Sequence, residues 1–248
     1  MSVQTQNDKI VIMTFDIGEK NFTCFKDSVS LEKLKSIKDR NIPLCNRYDK
    51  NGECTSEFST LLRTISSFGR RVFVDKVDLT KNDDKKFGKR RVITNRLLVR
   101  LTNYLEDLNQ QKIFDDVSYF LIEDQLKSAD NNRQIQFHLR SYLLLLFLNF
   151  KPIIAFPSSY KTKVLGAPKK VLDEKSKKII KMTKPIRKKW ASERAFSILS
   201  DRNDLEGIDV IYSKKKTGKS DDIADCILMS VTFQYLLFID DRVDILDS

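Results

Sequence analysis

Short apolar runs alternate with longer amphipathic stretches along this chain. Ile10 to Phe15 is apolar at every position but Thr14, and at this length it reads as a buried strand. Asn21 to Lys26 can return beside it as a hairpin across Gly18. Arg71 to Leu79, with Val72, Val74, Val77 and Leu79 apolar, reads as a half-buried strand. Val117 to Ile122 and Lys151 to Phe156 are two more buried strands, the second ended by Pro157, which has no N–H to donate. Helical spacing runs through Val92–Leu108 (Leu97, Leu101, Tyr104, Leu105, Leu108), Trp190–Leu199 and Asp221–Phe238. Asn131 to Phe150 is apolar enough to be a helix buried on most faces. Asp209 to Tyr212 reads as a short strand.

Asp27 to Gly69 is patterned weakly, with helices expected near Leu31–Ile37 and Glu57–Ile65 and a turn at Asn51-Gly52. It reads as an insertion at 27–69 in one domain spanning 1–248. The element order is an antiparallel meander that feeds parallel β-α-β units. The expected fold is therefore α/β, a mixed five-stranded sheet flanked by helices, with its site at the carboxyl ends of the central strands.

Composition narrows the chemistry. At 248 residues the chain can bury a core without disulfides or structural metals. The longest apolar run, Leu143 to Leu148, is far shorter than a membrane span, and Met1 to Lys9 is polar, so neither a membrane anchor nor a secretory signal is expected. Four cysteines without a C-x-x-C pair read as reduced intracellular thiols. One histidine, His138, excludes His-rich zinc sites and two-His iron sites and reads as structural.

The net charge of +11 points to a polyanion, and its location sharpens that. Ser158 to Lys189 holds twelve basic residues against two acidic ones, a local charge of +10 in an otherwise near-neutral chain. We read it as a basic DNA-binding loop at 158–189, with Lys161, Lys163, Lys169, Lys170, Lys177, Lys178, Arg187, Lys188 and Lys189 as phosphate contacts. Lys85, Lys86, Lys89, Arg90 and Arg91 open one helix, and Lys214, Lys215 and Lys216 precede another. Basic loops ahead of helices meet phosphates where the helix N-terminus adds positive partial charge.

The carboxylates are separate from that charge. Asp16 ends the first strand in F-D-I-G-E-K-N, and Glu123 follows the Val117–Ile122 strand in L-I-E-D-Q. The last helix opens K-S-D-D-I-A-D-C, where Asp222 and Asp225, or Asp221 and Asp225, share a face. Acids in a first turn have an ordinary explanation in the helix dipole, but Asp225 lies deeper, beside Cys226 and Ile227. Clustered carboxylates repel unless a cation neutralises them. Oxygen ligands without His or Cys favour Mg²⁺, with Mn²⁺ able to substitute. Such metals beside a basic surface suit phosphoryl transfer.

F-D-I-G-E-K-N, F-L-I-E-D-Q and K-K-K-T-G-K-S-D-D-I-A-D, in this order and on these elements, resemble the RuvC-like Holliday junction resolvases. The nearest likeness is to the poxvirus and large-DNA-virus type, within the ribonuclease H-like superfamily. The resemblance implies a homodimer that binds four-way DNA junctions and nicks two opposed strands, leaving 5′-phosphate and 3′-hydroxyl ends. It implies metal ligation by Asp16, Glu123, Asp222 and Asp225, with Asp221 in place of Asp222 if the spacing is four. It makes Lys219 a contact to the scissile phosphate or leaving oxygen and Lys161 a substrate contact. It also implies work at the site of viral DNA replication, in cytoplasm or nucleus. Neither 27–69 nor the Lys-rich stretch 166–189 matches the family. The alternatives are another ribonuclease H-like nuclease, acting on RNA–DNA hybrids or flaps, and a non-cleaving module that binds branched DNA. The Asn131–Phe150 helix is the expected dimer face.

Overall fold

A computed structural model describes residues 8–80, 86–87, 90–91, 93–147, 150–173, 176–215 and 221–247. Nine strands are present among them: β1 (Lys9–Asp16), β2 (Phe22–Ser30), β3 (Gly69–Val77), β4 (Lys86–Phe87), β5 (Arg90–Arg91), β6 (Tyr119–Asp124), β7 (Ile153–Pro157), β8 (Lys170–Leu172) and β9 (Ile179–Lys181). The helices are α1 (Leu31–Ser36), α2 (Ser56–Ser67), α3 (Asn95–Gln110), α4 (Asp130–Phe147), α5 (Ser158–Val164), α6 (Lys184–Asp201), α7 (Leu205–Lys215) and α8 (Asp221–Phe238).

Five strands form one mixed sheet in the order β3-β2-β1-β6-β7. β1 is antiparallel to β2 and parallel to β6, and β6 is parallel to β7. The α/β class and the helix-flanked five-stranded sheet follow the sequence reading. Alternation along β1 divides the core. Ile10 and Ile12 point into the layer built by α2, α6 and α8, while Val11, Met13 and Phe15 point to α3 and α4. Asp16 continues the even-numbered series and therefore emerges on the α8 side. α8 is buried along almost its whole length, from Ile223 to Leu236.

Several sequence expectations are corrected. The second strand runs on to Ser30, past the polar Asp27, because Asp27 is buried and Arg202 pairs with it through two contacts of 3.0 Å. The 27–69 segment is built into the core: Leu34, Phe58, Leu62 and Ile65 are buried against α6 and α8. The 209–212 run lies in a helix, not a strand. Asp204 starts that helix by accepting from the Gly207 N–H at 2.9 Å, the work of a helix N-cap. α4 is buried on one face only, through Ile135, Gln136, Leu139 and Leu143, while Phe137 and Leu145 are exposed. The basic segment 158–189 is not a loop. It comprises α5, the β8–β9 hairpin and the first turns of α6, which begins at Lys184 because Pro185 is well suited to a first helical turn.

Candidate active site

The register of β1 on β6 pairs Phe15 with Ile122, so Asp16 and Glu123 leave the sheet side by side. Leu121 faces the α8 layer, and Glu123, two residues on, shares that face. The first turns of α8 lie over the same edge and bring Asp221, Asp222 and Asp225 to it. Together these acids line a cleft of about 450 Å³ with Lys161 of α5 and Arg187 and Lys188 of α6.

Three lysines meet four of the five acids. Lys161 is buried, and its Nζ donates to Glu123 Oε1 at 2.7 Å and lies 3.1 Å from Asp225 Oδ1. Lys76, at the end of β3, donates to Asp222 Oδ2 at 2.6 Å. Lys188 donates to Asp221 Oδ2. Gln125 Nε2 donates to the second Glu123 oxygen at 3.3 Å.

Burial pushes the Asp16 carboxyl well above the usual carboxylate range, and the neighbouring Glu123 charge adds to the shift. A side-chain hydrogen bond between Asp16 and Glu123 adds to the rise of the first and lowers the second. Burial works against a charged Glu123 as well, but Lys161 and the Asp16 hydrogen bond hold it below the ordinary value. Burial raises Asp225 and Asp222 despite their lysines. Lys161 is opposed by its own burial, yet Asp225, Glu123 and Asp16 keep it charged beyond the ordinary range.

A hard divalent cation fits the donor chemistry, since several carboxylate oxygens line the cleft with no His or Cys among them. Among the described residues no three acids are gathered into a ready cage for a metal. The ammonium of Lys161 sits between two of them instead.

The expected Asp16, Glu123, Asp222 and Asp225 line one cleft, as does Asp221. Lys161 is not a surface contact but a buried counter-ion of the acids. Lys188 and Arg187 reach the cleft, while Lys163, Lys169 and Lys170 line a neighbouring groove. Lys177, Lys178 and Lys189 are exposed. Lys85, Lys89, Lys216 and Lys219 lie outside the described residues. Lys86, Arg90 and Arg91 form the short β4–β5 ladder rather than opening a helix, and Lys214 and Lys215 end α7. His138 bonds Thr102 Oγ1 at 2.8 Å on the α3 side, away from the acids. Lys76 was missed. Its signal was a lysine in strand alternation with Val74, which packs against the core.

No family model and no solved structure matches this chain. It is 29% identical over 248 residues to uncharacterized protein 170L of Invertebrate iridescent virus 6, which covers 93% of this chain and 91% of that protein. It is also 32% identical over 115 residues to uncharacterized protein 97L of Invertebrate iridescent virus 3, covering 46% of this chain and 47% of that protein. The chain thus resembles proteins of two invertebrate iridescent viruses. Among the described residues no helix is long and apolar enough to cross a membrane.

Proposed function

We propose that this chain is a metal-dependent, structure-specific endonuclease of the RuvC-like type on a ribonuclease H-like fold. It nicks opposed strands of four-way DNA junctions at the site of viral DNA replication. The observation that carries this reading is the meeting of Asp16, Glu123, Asp222 and Asp225 in one cleft whose other wall is the basic segment of α5 and α6.

When bound, Mg²⁺ or Mn²⁺ supplies Lewis acidity at the phosphate and lowers the pKa of water. Asp16, Glu123, Asp222 and Asp225 would hold it. Asp16 would have to lose its proton to do so, and with Glu123 on the adjacent strand it would offer carboxylate oxygens to the cleft. Lys76 orients Asp222. Arg187 and Lys188, at the mouth, draw the DNA phosphate towards the acids and offset their repulsion. The protein acts as a homodimer, whose two-fold axis matches the symmetry of a junction with opposed cut strands. The exposed apolar face of α4 (Phe137, Leu145) is the surface for that contact.

The test is incubation with labelled four-way junction, duplex and RNA–DNA hybrid, with Mg²⁺ and with EDTA. Paired symmetric nicks in the junction, dependent on Mg²⁺, are expected. Cleavage of the hybrid alone would replace the reading with another ribonuclease H-like activity. Junction binding without cutting in either metal would make the chain a branched-DNA-binding module.

A further inference from the structure

A second groove, of about 760 Å³, runs beside the acidic cleft and shares Thr162 and Arg187 with it. Its floor is apolar, with Pro168 and Met182, and its rim is basic, with Lys169, Lys170, Lys181 and Arg187. The outer wall is the β8–β9 hairpin. Lys170 pairs with Lys181 across the hairpin, and Leu172 pairs with Ile179. Strand alternation places both pairs on one face, so the lysines that line the groove are continued outward by two apolar side chains. Leu172 is 62% exposed and Ile179 72% exposed.

The hairpin is fixed in this position. The Lys169 and Lys170 N–H groups donate to the backbone and side-chain oxygens of Asn51, at 2.8 and 3.0 Å, and Asn51 Nδ2 donates back to the Lys170 carbonyl at 3.1 Å. The chain turns at Gly52 with φ +86, and the Lys169 side chain lies where a Cβ would project, at 3.2 Å. The 27–69 segment therefore supplies the base on which the groove is built.

We propose that this groove and hairpin face hold an unpaired DNA strand as it leaves the acidic cleft. Phosphates would run along the basic rim, and bases would lie on the apolar floor and on the Leu172–Ile179 pair. Paired DNA offers such a surface only its backbone, which needs the lysines and leaves the apolar part without a role. An unpaired strand offers both charges and base faces, the combination that single-strand-binding surfaces use. The placement beside the cutting site rests on the endonuclease reading; the strand-binding surface itself does not.

The experiment is fluorescence anisotropy in EDTA, with the full chain, an oligothymidylate and a blunt duplex of equal length. A Leu172→Ser/Ile179→Ser variant should bind the single strand about tenfold more weakly and the duplex unchanged. A Lys170→Glu/Lys181→Glu variant should weaken both. Circular dichroism melting checks that each variant folds. The proposal is overturned if the serine variant keeps its single-strand affinity within about twofold, or loses duplex affinity to the same degree. It is also overturned if that variant binds strands normally but sediments as a smaller species, which would make the apolar pair a contact between copies. A wild-type protein that shows the expected strand binding but cuts nothing in Mg²⁺ would sink the nuclease reading and leave this one standing.

Discussion

Lys161 reaches from α5 to Glu123 at 2.7 Å and is buried there, so a cation is held inside the acidic cluster by the fold itself. Removing one partner of a buried ion pair leaves the other charge uncompensated. Lys161→Met should therefore destabilise the protein by about 3 kcal/mol in the absence of divalent metal. Mg²⁺ should restore part of the loss, because a divalent ion can supply the missing positive charge. Thermal melts with Mg²⁺ and with EDTA check this. A variant that melts like the wild type in EDTA would show that Lys161 is no counter-ion.

Asp16 has the opposite standing. Burial and Glu123 keep it protonated well above the ordinary value of 3.8, so its charged form is costly in the folded state. Stability linked to this proton is present below the unfolded pKa and is lost as pH rises through the raised folded one. On the endonuclease reading a metal would have to displace the same proton, so the Mg²⁺ concentration needed for half-maximal cutting should fall as pH rises. Asp16→Asn should abolish cutting, leave junction binding intact and leave the melting temperature unchanged or higher. Nicking by this variant at the wild-type rate would remove Asp16 from the site.

The acids were legible in the sequence because each interrupts an apolar context: Asp16 and Glu123 end buried strands, and Asp225 lies within an apolar helix. Their lysines were not. Lys161 and Lys188 appear in a run of similar residues, and only tertiary packing turns one inward while Lys163 stays exposed. The five sheet strands were legible from short apolar runs bounded by turns. The D-V-I-Y run at 209–212 was misread because a short apolar stretch fits either helix or strand, and the deciding signal was the cap at Asp204. The weak pattern of 27–69 hid a packed segment: Phe58, Leu61, Leu62 and Ile65 are buried along one face of α2, and Val29, Leu34, Ile37 and Ile42 are buried outside it.

Asp204 gives a pH test remote from the cleft. Arg71 donates to both its oxygens, at 2.7 and 2.8 Å, and ties β3 to the start of α7. Burial alone would raise this carboxyl, but the Arg71 and Gly207 hydrogen bonds hold it below the ordinary 3.8. The stability it contributes is present above the unfolded pKa and is lost as pH falls through the depressed folded one. Asp204→Asn should cost about 2 kcal/mol at neutral pH and progressively less below pH ~4. Denaturant titrations at neutral and acid pH check it. An equal loss at both would assign the effect to packing rather than charge.

The pair formed by Asp27 and Arg202 is the most completely buried ionic contact described, at 0% and 3% side-chain exposure. It ties β2 to the end of α6. Ser230 and Gln234 of α8 also donate to Asp27 Oδ2, at 2.9 and 3.2 Å. Every oxygen of Asp27 is thus satisfied, and the carboxylate sets how α8, which carries three of the cleft acids, sits on the sheet. Arg202→Met should cost about 3–5 kcal/mol because it strands a charge that two neutral donors cannot balance. Asp27→Asn in that background should recover part of the loss, since an amide needs no counter-ion. Melting both variants beside the wild type measures this directly. If the double variant is no more stable than Arg202→Met alone, the contact acts through the shape of the arginine and not through its charge.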